Sequence, residues 1–176
     1  KTPSVVGMVT FIGAFFFAVT GTVSGRLSDR FGHRVFTIAG LGGATISSLI
    51  CAQFTPTTPL YVIMSTLAVN GISNGLWTAP NMSATLGAVD RVQYGIVSAF
   101  LNLVRNTASV ISIASATAVV SVIMVGRGFS GDLDTLYSSS GLDGGEAFSA
   151  GMKVVFVFMA GVSFAGLLAA TMGRDR

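Results

Sequence analysis

The chain has 176 residues, 51% of them hydrophobic and only 10% charged, with 22 glycines and a formal net charge of +3. Soluble domains carry about 25% charged residues, and a surface so poor in charge would not keep a compact domain dissolved. Composition therefore excludes an ordinary water-soluble globule and points to an all-α integral membrane protein, whose first partner is the lipid bilayer.

Five apolar stretches are long enough to cross a bilayer, which takes about 20 helical residues. Residues 5–23 and 35–54 are free of charge. Residues 60–80 are softer, carrying Asn70, Ser73 and Asn74. The fourth stretch, 92–125, is interrupted only by Arg105 and exceeds a straight crossing, so tilt or bending is expected. Residues 154–172 form the fifth. No stretch alternates inward and outward residues as a barrel strand does, so all five read as helices. Between them lie a short basic turn at 25–34, the proline-flanked 55–59, a link holding Asp90 and Arg91, and a Gly-, Ser- and acid-rich loop at 126–151. Asp132 and Asp134 there lack the rest of a calcium-binding loop.

Lysines and arginines divide unevenly between the two sides. Arg26, Arg30, Arg34, Arg91, Arg174 and Arg176 share one side, and Lys1, Arg127 and Lys153 the other. The richer side should be cytoplasmic, which places the 25–34 turn and the C-terminus inside. The chain opens on Lys1 and has an odd number of candidate spans, as expected of a piece of a longer protein. With one His33, one Cys51 and no carboxylate inside a span, there is no material for a metal cluster or a nucleophilic triad. An enzyme is not expected, and neither are a cofactor, a metal or a nucleic-acid partner.

Residues 25–34 read Gly-Arg-Leu-Ser-Asp-Arg-Phe-Gly-His-Arg. Gly25 is placed to end a helix and, with Gly21, to let another helix approach closely. Gly32 permits a sharp reversal. Asp29 sits among Arg26, Arg30 and Arg34, where its charge can be offset locally or by a helix N-terminus. The stretch resembles motif A of the major facilitator superfamily, G-x-L-(A/S)-D-R-x-G-R-(R/K), with His33 where that family more often has a basic residue. The resemblance implies a conformational latch formed by Gly25, Asp29, Arg30, Gly32 and Arg34; the alternative is a solvated basic turn. It also leads to the expectation that Asp29 lies near the cytoplasmic start of the fourth helix or near Arg91.

The third stretch lacks the arginine of that family's motif B, and the fourth lacks its Gly-Pro antiporter motif. Gly95, Ser98, Asn102 and Arg105 instead resemble a G-x-x-S-x-x-x-N-x-x-R stretch of the fourteen-helix drug:proton antiporter branch. The resemblance therefore implies the last five transmembrane helices of a major facilitator C-terminal bundle, working against a missing N-terminal half. It implies proton-coupled efflux of multidrug or amphipathic small molecules by alternating access. A carrier of another small solute, or a non-transporting scaffold or receptor subunit, is the alternative. The carboxylate that proton coupling needs is expected outside this chain.

Individual residues keep two readings each. Asn70, Asn74, Trp77 and Asn81 share one helix face and either line a transport path or bond neighbouring helices. Asn102 and Arg105 are candidates for the same path, Arg105 otherwise snorkelling to the surface. Phe11, Phe15, Phe16 and Phe17 are expected to face lipid or pack rather than form a ligand cage. Gly71 and Gly75 read as a close-packing pair.

Overall fold

The computed structural model describes residues 3–126 and 142–172, with the side chains of residues 3–6, 29, 142–144 and 147 outside the described set. Five long helices run through it: α1 (Pro3–Phe31), α2 (His33–Cys51), α3 (Leu60–Gly87), α4 (Tyr94–Gly126) and α5 (Leu142–Met172), with a short 3-10 turn, Arg91–Gln93, before α4. No strand occurs among the described residues.

Each helix follows its apolar stretch but mostly outruns it. α1 continues through 26–31, so Gly25 lies inside a helix rather than ending one. α3 continues past Pro80 to Gly87, and α5 starts at Leu142, well before the apolar run at 154. The apolar run marks only the part of a helix that lipid can cover, whereas Arg, Glu and Lys are good helix formers and extend it beyond that limit. Pro80 sits buried within α3, a placement that membrane helices tolerate where neighbours shield the freed backbone.

The helices stand as a row of neighbours, α1–α3–α2–α5–α4. Matching positions fix their directions. Gly13 lies against Leu67, Gly75 against Gly21, and Gly25 against Ala79, so α1 and α3 run parallel. Gly40 meets Trp77 while Ser47 meets Asn70, so α2 runs against α3. Val120 of α4 meets Gly151 of α5.

Packing is inside-out relative to a soluble protein. The buried polar residues are Ser24, Ser28, Ser47, Ser48, Thr66 and Ser73, while Phe11, Phe15, Ile111, Phe158 and many other large apolar side chains are exposed. Small residues at helix seams and large ones outside are what a bilayer favours, because lipid rather than water meets the outer face. Among the described residues four segments are long and apolar enough to cross a membrane: Gly7–Ser28, His33–Cys51, Arg91–Gly126 and Phe148–Met172. The chain is a multi-pass, all-α membrane protein. α3, the third of the five expected spans, is not among these four, since its asparagines, serines and threonines dilute its hydropathy. It is flanked by α1 and α2 and so needs less lipophilic surface of its own.

α1 and α2 are joined by Gly32 alone, at φ 85° and ψ 147°, the only positive-φ residue among those described. Its N–H donates to the Ser28 carbonyl at 2.9 Å. A Cβ there would meet nothing within 4 Å, so a substitution is opposed by backbone conformation alone. Gly32→Ala is expected to lose about 1–3 kcal/mol, the usual cost of a non-glycine residue in this region. Melting in detergent beside Gly42→Ala, an equally open glycine with ordinary helical dihedrals, separates this strain from any effect of an added methyl.

Candidate functional site

The seam between α1 and α3 is where small residues bring two backbones together. A Cβ on Gly71 would collide with the Gly13 carbonyl oxygen and lie 3.2 Å from the Phe17 nitrogen; one on Gly75 would lie 2.8 Å from the Gly21 nitrogen and 2.9 Å from the Phe17 oxygen. The Ser24 hydroxyl, buried on α1, donates to the Gly75 carbonyl across the seam at 2.8 Å. Gly71 and Gly75 thus form the close-packing pair that their spacing suggested.

Beside this contact the helices part to leave a cleft of about 400 Å³. α1 contributes Thr10, Gly13 and Phe17, and α3 contributes Leu67, Asn70 and Asn74. The asparagines belong to a directional hydrogen-bond chain. Trp77 Nε1 donates to Asn74 Oδ1 (3.4 Å), Asn74 Nδ2 to Asn70 Oδ1 (2.9 Å), Asn70 Nδ2 to Ser47 Oγ (3.1 Å), and Ser47 Oγ to the Ala44 carbonyl (3.0 Å). Every link points the same way, from α3 into α2, and such chains polarise their members cooperatively. Asn74 Nδ2 also donates to the Asn70 carbonyl at 2.9 Å, so both Asn74 amide protons are in use. What remains for a guest is one amide proton on Asn70 and one lone pair on each of Asn70 Oδ1 and Asn74 Oδ1. These amides bond neighbouring groups and also line the cleft.

The remaining candidates fall elsewhere. Trp77 lies against Gly40 of α2, turning its indole N–H to Asn74, and Asn81 is exposed. Asn102 and Arg105 are exposed on α4, which hardly meets α3, and they do not line the cleft. Phe11 and Phe15, their ring centroids 6.1 Å apart, are exposed as expected, but Phe17 lines the cleft. Sequence reasoning missed Phe17 and Ser47. The signal for Phe17 was its i+4 spacing from Gly13, which puts it on the face that approaches α3.

In the 25–34 stretch, Arg30 is exposed and Gly25 packs toward Ala79. Arg34 reaches α5: its Nε donates to the Ala170 carbonyl at 3.2 Å and its Nη2 to the Thr171 carbonyl. These carbonyls belong to the last turn of α5, where no intrahelical donor remains, and a cation there also complements the helix dipole. The expectation for Asp29 rests on a side chain outside the described residues, and Asp132 and Asp134 and the ends carrying Lys1, Arg174 and Arg176 lie outside them too. A second cleft, about 420 Å³, opens between the end of α2 and the start of α5, lined mainly by apolar side chains such as Phe54, Phe148, Met152 and Phe156.

No protein-family model matches the chain, and no solved structure matches it. Over 105 residues it is 28% identical to the riboflavin transporter RibZ of Clostridioides difficile (strain 630), a match that takes in 60% of this chain and 23% of that transporter. The chain thus spans well under two thirds of this relative's length. Its similarity is to a membrane transporter.

Proposed function

We propose that this chain is the C-terminal part of a major facilitator transporter, five transmembrane helices including α3, that moves a small organic solute across a cell membrane by alternating access. The observation that carries the reading is the cleft beside the α1–α3 seam, where Phe17 offers a flat apolar wall and Asn70 and Asn74 offer hydrogen-bonding edges. Ligand sites are commonly apolar clefts with a few convergent polar groups, and riboflavin, the solute named for the relative, is a flat ring system rimmed with such groups. The close helix seams suit rigid-body rocking of this bundle against a second one, with the 25–34 turn and the C-terminus on the cytoplasmic side. In the latch reading of that turn, Gly25, Asp29, Arg30, Gly32 and Arg34 act together, and the Arg34 bonds hold α2 to the end of α5 during the motion.

Proton-coupled drug efflux is the second reading, favoured by the 25–34 sequence and by Gly95, Ser98, Asn102 and Arg105. It requires a titratable group in the membrane, and the described acids Asp90 and Glu146 lie outside the candidate spans. The test is flux through the native full-length protein in vesicles, using radiolabelled riboflavin and, separately, a cationic dye under an imposed proton gradient. Saturable riboflavin counterflow without a gradient is the expected result. Gradient-driven dye export in its absence selects the second reading, and no flux of either compound overturns both.

A further inference from the structure

α4 carries a stripe of polar side chains along one side, with Thr107, Ser115, Thr117 and Ser121 lying off it. Ser98, Asn102, Arg105, Ser109 and Ser112 recur at steps of three and four residues, with Asn106 beside them, an arc of roughly 100° at 3.6 residues per turn. The same steps continue through Ala116 to Val120 and Met124, which are buried against Met152 and Val155 of α5. The stripe therefore lies on the side of α4 that turns toward the bundle. Phe100, Leu103, Val110 and Ile111 occupy the opposite side. Yet Asn102, Arg105, Asn106 and Ser109 are all exposed. Val120 and Met124 make the buried contact with α5, and α4 hardly meets α3, so no packed seam covers the stripe, and the opposite side is exposed as well.

Among the described residues Arg105 makes no hydrogen bond or ion pair. A guanidinium about 16 Å along a membrane-crossing helix is not left facing hydrocarbon, where charge is strongly disfavoured. A second copy of this chain is a poor cover for it, because the candidate spans contain no carboxylate among their described residues. Water, a solute and the facing bundle of the transporter reading remain, and the amides and hydroxyls beside the charge suit the first two.

We infer that this stripe lines a hydrated crevice of the transport path, in which Arg105 receives negatively polarised oxygens of the solute (carbonyl, carboxylate or phosphate) and turns cations away. The inference rests on the transporter reading and narrows its solute class. Arginine presents a planar fork of donors suited to paired oxygens, Asn102, Asn106 and Ser109 add amide and hydroxyl donors within one turn of it, and a fixed positive charge in a narrow aqueous path concentrates anions over cations.

The experiment uses the native full-length protein freed of cysteines, here by Cys51→Ala, in vesicles. Single cysteines are placed at Ser98, Asn102, Ser109 and Ser112, and on the far side at Phe100, Leu103 and Val110. Labelling rates are compared for two membrane-impermeant methanethiosulfonate reagents, one bearing a sulfonate and one a trimethylammonium group. Stripe positions should label at least about tenfold faster than far-side positions. At Asn102→Cys and Ser109→Cys the sulfonate should be favoured, and Arg105→Gln should lower the sulfonate-to-ammonium ratio about tenfold while Arg105→Lys keeps it. Even labelling around the helix overturns the crevice, and a ratio indifferent to Arg105→Gln overturns the assigned selectivity. Labelling is read without any flux. Failure of all transport with this pattern intact would therefore remove the transporter reading and not the crevice.

Discussion

Gly71→Leu is expected to prevent the bundle from folding, and Gly75→Val to do nearly the same. Both glycines face backbone atoms of α1, and Gly75 faces the Thr20 Cβ as well. The Gly13 carbonyl lies where a Gly71 Cβ would go, and the Phe17 oxygen and Gly21 nitrogen lie within 3 Å of a Gly75 Cβ. A side chain can rotate away from an intruding methyl, but a helix backbone cannot, so α1 and α3 would have to separate along the seam. Separation also breaks the buried bond from Ser24 to the Gly75 carbonyl. Overpacking typically costs about 1–3 kcal/mol where neighbours can adjust, and a seam made of main chain has less room to adjust. Gly42→Ala and Gly161→Ala, where an added Cβ meets nothing within 4 Å, should hold or gain up to about 1 kcal/mol from improved helix propensity. Melting and monodispersity in detergent measure the contrast. A Gly71→Leu protein that melts alongside its parent would mean that α1 does not rest on α3 as described.

These seams also show how far the sequence could be read. Four of five helices announced themselves as long apolar runs, one of them interrupted by Arg105 alone, because a lipid-facing surface is apolar along most of its length. Their ends did not: α1 runs through Arg26 and Arg30 and α5 through Glu146 and Lys153, since hydropathy reports where lipid stops rather than where the helix stops. α3 was the least legible as a span. Its Asn70, Ser73 and Asn74 lower its hydropathy, and only the neighbours on both sides explain why it tolerates them. The asparagine face was visible as a spacing, but its second partner was not. Ser47 is 23 positions from Asn70, and nothing in a serine-containing apolar run distinguishes the one that receives an amide from its neighbour Ser48. The Arg34 contact with α5 spans 136 positions and was equally hidden.

Asn70→Leu is the substitution that should affect transport most relative to its effect on stability. Interhelical hydrogen bonds in membranes average only about 0.6 kcal/mol and seldom exceed 2 kcal/mol, so losing the Asn70–Ser47 bond should leave a folded bundle. The cleft fares worse. Asn70 holds its one uncommitted amide proton and one uncommitted lone pair, and its Oδ1 helps to orient the Asn74 amide whose oxygen supplies another. Replacing Asn70 removes its groups and one of the bonds that orient Asn74, which the residue-70 carbonyl and Trp77 still hold. Flux per folded molecule should fall at least about tenfold, equivalent to about 1.4 kcal/mol of lost solute stabilisation, and chiefly through a raised KM. Ser47→Ala provides the comparison that decides what the amide does. Ser47 is fully buried, does not line the cleft, and takes part in the same interhelical bond. If solute meets Asn70 directly, Ser47→Ala should lower the melting temperature slightly and leave flux near the parent value. If the two variants lose flux equally, the asparagine acts only as a staple between α2 and α3, and the α1–α3 cleft ceases to be the solute site.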